Sequence, residues 1–188
     1  MQLHQQISRL KPHKALGEDG IPNVVLKQVA ELLMPYLIQI FRAVFRLGTY
    51  SDSWCTWDTI VLRKPGKPRY NVPKAHQPIA LMNTIGKLLS AIVAEDITYM
   101  CERYGLLPDT HFGGRPGKST SDVMHYLANK IKGAWRHHKV AAVLFLDIEG
   151  AFPNAVTERL LHNMRMRQLP EPYVKFIDCM LTSRHTKL

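Results

Sequence analysis

The amino-acid sequence predicts a helix-rich α+β fold. Two observations carry this prediction. Apolar residues recur at the three- and four-residue spacing of amphipathic helices over several long stretches, and three short apolar runs are typical of strands. The composition is that of a folded chain, because 46% of the 188 residues are hydrophobic and no repeat or low-complexity linker interrupts them.

The first long helix is predicted between residues 23 and 47. Its predicted buried stripe is spaced at helical intervals and comprises Val25, Val29, Leu33, Tyr36, Ile40 and Val44. Pro35 predicts a kink or a split, and Gly48 a C-cap. Residues 59–62 predict a short strand, which leads into a loop rich in Pro and Gly. Five basic residues and no acidic one lie between Arg63 and Lys74, and residues 78–81 predict a second strand.

The remaining elements are predicted in the same way. A helix follows from residue 85 to about residue 105. Ser119 and Asp122 have the spacing of a capping box and predict a helix whose inward face is Val123, Leu127, Ile131 and Ala134. Residues 140–146 form an apolar run that predicts a buried strand. Two helices, at about 157–166 and 171–181, complete the chain on either side of Pro170.

Charge and cysteine content narrow the functional class. Lys and Arg number 25 against 15 Asp and Glu, a formal net charge of +10, which favours a polyanionic partner; a basic surface without a specific ligand is the alternative. Cys55, Cys101 and Cys179 are odd in number and show no zinc spacing, which indicates reduced thiols in an intracellular protein, nuclear or cytoplasmic. No signal peptide or membrane-spanning run is expected, so no membrane partner is predicted, and the oligomeric state is left open.

Asp147 directly follows the predicted strand 140–146. A carboxylate at a strand end is held just clear of the core, where it suits Mg²⁺, which prefers carboxylate oxygens and keeps positions open for substrate phosphates. The alternative is an Asp that caps the following turn. The strand-end position taken alone slightly favours the cap.

The segment from Gly114 to Thr120 has two interpretations. A P-loop requires a glycine at position 112, but Phe112 stands there and the preceding segment is a poor strand. The second interpretation is a basic turn at a helix N-terminus, where Arg115 and Lys118 would approach a nucleic-acid phosphate. A solvated turn competes with that role, more for Lys118 than for Arg115.

Five segments occur in the order found in reverse transcriptases of non-LTR (LINE-type) retrotransposons. Residues 14–22, Lys-Ala-Leu-Gly-Glu-Asp-Gly-Ile-Pro, resemble that family's K-A-P-G-x-D-G-I-P opening, and residues 146–152, Leu-Asp-Ile-Glu-Gly-Ala-Phe, resemble polymerase motif A. Residues 60–67, 77–87 and 112–120 are similar to the intervening motifs. The resemblance implies a right-hand polymerase with an incomplete sheet: fingers over residues 1–139 and the beginning of the palm over 140–188.

The resemblance also implies an activity and its partners. The activity is RNA-directed DNA polymerisation, with an RNA template, a DNA primer, dNTP and a pair of Mg²⁺ ions. Asp147 would be the catalytic metal ligand, and the Ile148 carbonyl would lie beside it. Phe152 would exclude a ribose 2′-OH. Among the matched basic residues, Arg63 and Lys64 would bind the incoming triphosphate. Arg115 and Lys118 would bind the template.

The sequence departs from the family pattern in three places. Gln77 replaces a family arginine, and a neutral amide does not substitute for a guanidinium. Pro153 replaces an Asp, which indicates altered turn chemistry. The residues after Asp147 do not include the family's Asp-Asp turn, so we expect the isolated chain not to polymerise. The alternatives are a non-catalytic, basic nucleic-acid-binding fragment, a P-loop-like NTPase and a decayed or partial reading frame without a selected function.

Overall fold

A computed structural model describes residues 2–148, 150–152 and 154–187. The helices are α1 (Gln2–Arg9), α2 (Asn23–Gln28), α3 (Ala30–Leu47), α4 (Asp52–Cys55), α5 (Thr84–Arg103), α6 (Thr120–Arg136), α7 (Thr157–Met166) and α8 (Glu171–Thr182). The strands are β1 (Thr56–Arg63), β2 (His76–Leu81) and β3 (His185–Lys187), and a 3-10 turn, Pro73–Ala75, precedes β2. The prediction of a helix-rich α+β fold with an incomplete sheet is confirmed.

The described sheet has the strand order β2-β1-β3. β1 and β2 form an antiparallel hairpin in which Asp58 lies opposite Leu81 and Arg63 lies opposite His76. β3 pairs with the start of β1 in the parallel direction. The strands predicted at 59–62 and 78–81 are therefore confirmed, and both are longer than their apolar runs because pairing continues into polar residues.

The α2–α3 region corrects two sequence predictions. The helix divides at Val29, where φ is −103°, and Pro35 lies inside α3. The buried face comprises Leu26, Ala30, Leu37, Phe41 and Val44, whereas Tyr36 and Ile40 of the predicted stripe are 65% and 43% exposed. Both sets of residues have helical spacing, so periodicity does not distinguish two neighbouring apolar faces. The C-cap prediction is confirmed, because Gly48 has φ 61° and its N–H bonds the Val44 carbonyl.

The chain divides into two compact units. Unit 1 comprises the described residues of Met1–Ile97 and Thr157–Leu188, and unit 2 comprises those of Thr98–Val156. The core of unit 1 lies among α1, α3, α5 and α8, where Leu88 and Leu89 are completely buried. The Tyr50 ring makes edge contacts with Trp54 and Phe176 at centroid distances of 5.5 and 5.4 Å. These large rings contribute much of the apolar surface buried in this core.

Unit 2 contains the last turns of α5, a long loop, α6 and the segment that leads to α7. The predicted capping box is confirmed, since Asp122 N–H donates to Ser119 Oγ and Ser119 N–H donates to Asp122 Oδ2. The predicted inward face of α6 is only partly buried: Leu127, Ile131 and Ala134 are intermediate in exposure, and Val123 is 39% exposed. Across the described part of unit 2, no segment covers that face deeply. The fingers–palm boundary at residue 139 remains a prediction.

Candidate active site and nucleic-acid surface

The β1–β2 hairpin presents the basic segment between residues 63 and 74, the basic hairpin loop. The Arg63 guanidinium lies over the Tyr70 ring, 5.2 Å from its centroid. The Tyr70 hydroxyl donates to the Lys64 carbonyl at 2.9 Å, and the Lys64 N–H donates to the Ala75 carbonyl at 2.8 Å. These contacts hold the Arg63 side chain and the Lys64 backbone at the strand end, where no carboxylate among the described residues pairs with either cation.

Gln77 lies on the strand beside that basic pair. It is exposed on β2 opposite Leu62, one position before Arg63 in the register. An arginine at this position would add a third cation to the same end of the hairpin. The amide of Gln77 offers a hydrogen bond but no charge, so the electrostatic attraction for a phosphate comes from Arg63 and Lys64.

The segment 14–22 is fastened to the start of α5, and we call this arrangement the α5 clasp. Asp19 Oδ2 accepts the Thr84 N–H at 2.7 Å, and the Asp19 N–H donates to Asn83 Oδ1 at 3.2 Å. The Thr84 hydroxyl donates to the Ile21 carbonyl at 2.7 Å. Asp19 therefore satisfies an N–H that a helix N-terminus leaves without an intrahelical partner, and its charge complements the positive end of the helix dipole.

Gly17 and Lys87 complete the α5 clasp. A Cβ added at Gly17 would lie 2.3 Å from the Met82 carbonyl oxygen, so only glycine permits this backbone approach. Lys87 Nζ donates to the Ala15 carbonyl at 3.3 Å, and burial lowers the pKa of Lys87. Sequence reasoning matched this segment to a family motif but missed the roles of Asp19 and Gly17. Their partners lie about 65 residues away, and no local pattern records that contact.

Arg115 organises its own loop. Its Nε and Nη2 donate to the two carboxylate oxygens of Glu102, each at 2.8 Å, and Nη1 donates to the carbonyls of Pro108 and His111. We call this set the Arg115 clamp. The pairing raises the pKa of Arg115 and lowers that of Glu102. Only 10% of the Arg115 side chain is exposed, so the geometry favours a structural role, and the predicted template contact remains a prediction.

Lys118 is exposed near the N-terminus of α6. Its Nζ lies 5.6 Å from the centroid of the Phe112 ring, and its N–H donates to the Arg115 carbonyl at 3.3 Å. The helix N-terminus behind it already holds the Asp122 carboxylate, whose pKa is lowered by hydrogen bonds from Ser119. A phosphate there would meet that negative charge. Turns rather than a strand precede the loop, so the P-loop interpretation lacks the strand it requires.

The prediction of a buried strand at residues 140–146 is wrong. These residues are outside the described sheet, and Val140, Leu144, Phe145 and Leu146 are 95%, 81%, 81% and 83% exposed. An extended chain is stable as a strand only when a neighbour satisfies its N–H and C=O groups and covers one face. No described segment pairs with residues 140–148, so apolar composition has not produced a strand.

Asp147 and its predicted neighbours lie on this exposed segment. Asp147 is exposed, and Ile148 and Phe152 are 74% and 96% exposed. The Asn154 N–H donates to the Gly150 carbonyl at 3.0 Å, which closes a turn after Asp147. The prediction made for Pro153 lies outside the described residues, as does Glu149.

The described residues supply one carboxylate to the predicted magnesium site, that of Asp147. Protein Mg²⁺ sites use octahedral oxygen ligands, commonly one or two carboxylates with water and substrate phosphates. Among residues 2–148, 150–152 and 154–187 there is no cluster of three or more His, Cys, Asp or Glu side chains. Asp147 is thus a single carboxylate on an exposed segment. Arg63 and Lys64 belong to unit 1, whereas Asp147, Ile148, Phe152, Arg115 and Lys118 belong to unit 2.

Comparison with known proteins identifies the family. The family model for reverse transcriptase (RNA-dependent DNA polymerase) matches residues 62–187. The chain belongs to this family, and its resemblance to the LINE-type enzymes is confirmed. Reverse transcriptases use a divalent metal, a nucleic-acid template with its primer, and nucleotides.

Similar proteins come from insect mobile elements. The chain is 31% identical over 182 residues to a probable RNA-directed DNA polymerase from transposon X-element of Drosophila melanogaster, covering 95% of this chain and 19% of that protein. It is 28% identical over 170 residues to the RNA-directed DNA polymerase from mobile element jockey of Drosophila funebris, covering 90% and 18%. The chain therefore spans about a fifth of the length of these relatives. Each helix among the described residues is too short or too polar to span a lipid bilayer.

Proposed function

We propose that the chain forms the fingers and the first part of the palm of an RNA-directed DNA polymerase from a LINE-type element. The observation that carries this proposal is the pair Arg63 and Lys64, held at the end of β1 by Tyr70 and Ala75. Phosphoryl transfer depends on positioned positive charge around a triphosphate. Two neighbouring cations at the end of a paired strand, neither paired with a carboxylate among the described residues, supply that charge.

The remaining predicted residues take roles consistent with the family. Asp147 would be one carboxylate ligand of the divalent metal, which when bound neutralises charge on the reacting phosphates. Phe152 would pack against the sugar of the nucleotide, beside the Ile148 carbonyl. Arg115 would act through the Arg115 clamp, fixing the loop that presents Lys118 to the template. Each role requires a residue that is exposed or that holds an exposed loop, as these are.

We also propose that the isolated chain does not polymerise. Asp147 lies on a segment without strand pairing, and a ligand on such a segment is not held within the narrow tolerance that catalysis requires. In a primer-extension assay with RNA template, DNA primer, dNTP and Mg²⁺, the purified chain is expected to match its Asp147→Ala variant. Incorporation that is lost in Asp147→Ala would contradict the proposal.

Nucleotide binding tests the basic pair directly. We expect the double variant Arg63→Glu, Lys64→Glu to weaken the binding of a fluorescent deoxynucleoside triphosphate by at least about tenfold, because two fixed cations become two anions. The double variant Lys67→Glu, Arg69→Glu is the matched control, with the same charge change farther along the basic hairpin loop. Equal weakening by both variants would contradict a specific role for the strand end.

A non-catalytic RNA-binding fragment is the second candidate function. The net charge of +10 favours it, since counterion release drives the binding of a basic protein to a polyanion. Salt-sensitive RNA binding without measurable triphosphate binding would favour this candidate over the first.

A further inference from the structure

The C-terminal end of α6 carries a basic and aromatic surface to which no role has been given. We call it the α6 basic end, and it comprises Lys132, Trp135, Arg136 and residues 137–139. No Asp or Glu occurs between Val123 and Leu146 in the sequence. Every residue of the α6 basic end is exposed, and none of its three cations pairs with a carboxylate among the described residues. It is therefore a region of unneutralised positive charge.

The helix places these side chains on neighbouring faces. Lys132 and Arg136 are four residues apart, so they project from the same face of α6. Trp135 lies one turn after Lys132, and its side chain is 64% exposed. Cations near a helix C-terminus complement the helix dipole, and this effect explains the presence of Arg136 and Lys132. The dipole does not account for a large aromatic side chain left in water between them.

The turn after α6 adds backbone strain to this surface. His138 has φ 55°, a left-handed conformation that glycine adopts without strain. Its N–H donates to the Trp135 carbonyl at 3.0 Å, and the Lys139 N–H donates to the Ala134 carbonyl at 2.9 Å. This pair of bonds is a Schellman motif, and it folds Lys139 back towards the last turn of α6. Histidine adopts this conformation more often than most side chains, and the turn leaves His138 exposed.

We propose that the α6 basic end binds single-stranded RNA. Lys132, Arg136 and Lys139 would contact successive phosphates, and a base would stack on Trp135. The positive charge favours a polyanion. The exposed indole favours a single strand, because unpaired bases can stack on it whereas the bases of a duplex are held in their own stack. The proposal takes its ligand class from the proposed polymerase function, but it concerns a surface outside the predicted triphosphate and metal residues.

The test is fluorescence anisotropy of the full 188-residue chain with a labelled 12-nucleotide single-stranded RNA and with a duplex of the same sequence. Trp135→Ala is expected to weaken single-strand binding about tenfold and to leave duplex binding unchanged. Lys132→Glu with Arg136→Glu is expected to weaken it more than tenfold and to reduce its salt dependence.

Unit 1 supplies matched controls for both changes. Tyr36 on α3 is 65% exposed, so Tyr36→Ala removes an aromatic side chain of equal exposure. Arg42 and Arg46 are exposed on α3 at the same four-residue spacing, so Arg42→Glu with Arg46→Glu repeats the charge change. Both control variants are expected to bind the single strand within about twofold of the parent chain, because counterion release away from the site contributes little.

A second pair of variants separates the turn from the ligand. Gln168 has φ 58° in an equivalent turn after α7, where its N–H donates to the Arg165 carbonyl and the Leu169 N–H donates to the Met164 carbonyl. His138→Gly and Gln168→Gly are both expected to raise Tm by relieving strain. Only His138→Gly is expected to weaken RNA binding. Equal RNA binding by these two variants would show that His138 serves the turn alone and would remove it from the site.

Failure of this proposal differs from failure of the proposed function. If the Trp135 and Lys132–Arg136 variants bind RNA like the parent chain, the α6 basic end is not the site. The triphosphate assay on Arg63 and Lys64 tests the proposed function separately, and its result does not depend on this one. Equal losses for single strand and duplex would overturn the preference for single-stranded RNA. Loss in the α3 controls as large as in the α6 variants would show a diffuse effect of charge and overturn the site.

Discussion

Unit 1 and unit 2 differ in how they are held together. Every fully buried side chain in the described part of the chain belongs to unit 1. In unit 2 no described residue reaches that degree of burial. Five of the seven predicted site residues nevertheless lie in unit 2, and they are Asp147, Ile148, Phe152, Arg115 and Lys118. The unit with more of the proposed chemistry therefore has the smaller apolar core.

Local polar contacts stabilise unit 2 in place of a core. The Arg115 clamp ties the loop to the end of α5, the capping box of Ser119 and Asp122 starts α6, and the turn at His138 ends it. Such contacts join residues close in sequence, so they fix short segments rather than a whole layer. Segments with few buried apolar contacts open at low free energy. The comparison shows that stability and proposed chemistry are divided between two parts of one chain.

The largest expected effect is on the free energy of unfolding, and it compares a buried leucine of unit 1 with an exposed leucine of unit 2. Leu88 is completely buried in unit 1, whereas Leu144 is 81% exposed in unit 2. Leu88→Ala removes buried methyl groups and leaves a cavity, so we expect it to lower the free energy of unfolding by about 2–5 kcal/mol. Leu144→Ala is expected to change it by less than about 0.5 kcal/mol. Urea unfolding followed by far-UV circular dichroism measures both. Equal losses would show that residues 140–148 are packed, contrary to the structure.

The second prediction compares two glycines of the family-like motifs. A Cβ at Gly17 would lie 2.3 Å from the Met82 carbonyl, whereas nothing lies within 4 Å of a Cβ at Gly113. Gly17→Ala forces the α5 clasp away from the start of α5, so we expect a loss of roughly 1–3 kcal/mol in the free energy of unfolding. Gly113→Ala is expected to be neutral or slightly stabilising. A Gly17→Ala chain with the parent's urea midpoint would show that the α5 clasp does not need this close approach.

Much of the fold follows from local signals in the sequence. Helix periodicity located α5, α7 and α8, the capping box located the start of α6, and Gly48 marked the end of α3. These features depend on residues within one or two turns of each other, which a sequence displays directly. The family motifs likewise lie along the chain in order, and the reverse transcriptase match confirms the family that they indicate.

The features that were missed depend on distant partners. The buried face of α3 is chosen by α1 and α8, so its own spacing left two faces equivalent. The run at 140–146 has the composition of a buried strand, but a strand exists only through a neighbour. Asp19 resembles an ordinary loop residue until Thr84 is placed beside it. The site residues themselves remain predictions, because exposure permits their roles without assigning them.

The smallest expected effect is a difference in acid sensitivity between two ion pairs. Arg115 with Glu102 in unit 2 and Arg165 with Glu171 in unit 1 are both bidentate, and each arginine lowers the pKa of its glutamate. A carboxyl group whose pKa is lowered by folding stabilises the fold above its unfolded pKa, near 4.3 for glutamate. That stabilisation is lost as pH falls from there through the lower pKa of the folded chain.

The consequence of that loss depends on what else holds each segment. The Arg115 clamp joins its loop to Glu102 of α5, whereas α8 is also held by buried Val174 and Phe176. Amide hydrogen exchange, corrected for intrinsic rates, is therefore expected to lose protection at residues 106–118 as pH falls below about 4.3, with little change in α8. Glu102→Gln is expected to remove this pH dependence and to lower protection at pH 7, and Glu171→Gln to leave α8 as it is. A clamp loop whose protection does not respond to pH or to Glu102→Gln would mean that unit 2 has a support other than its local polar contacts.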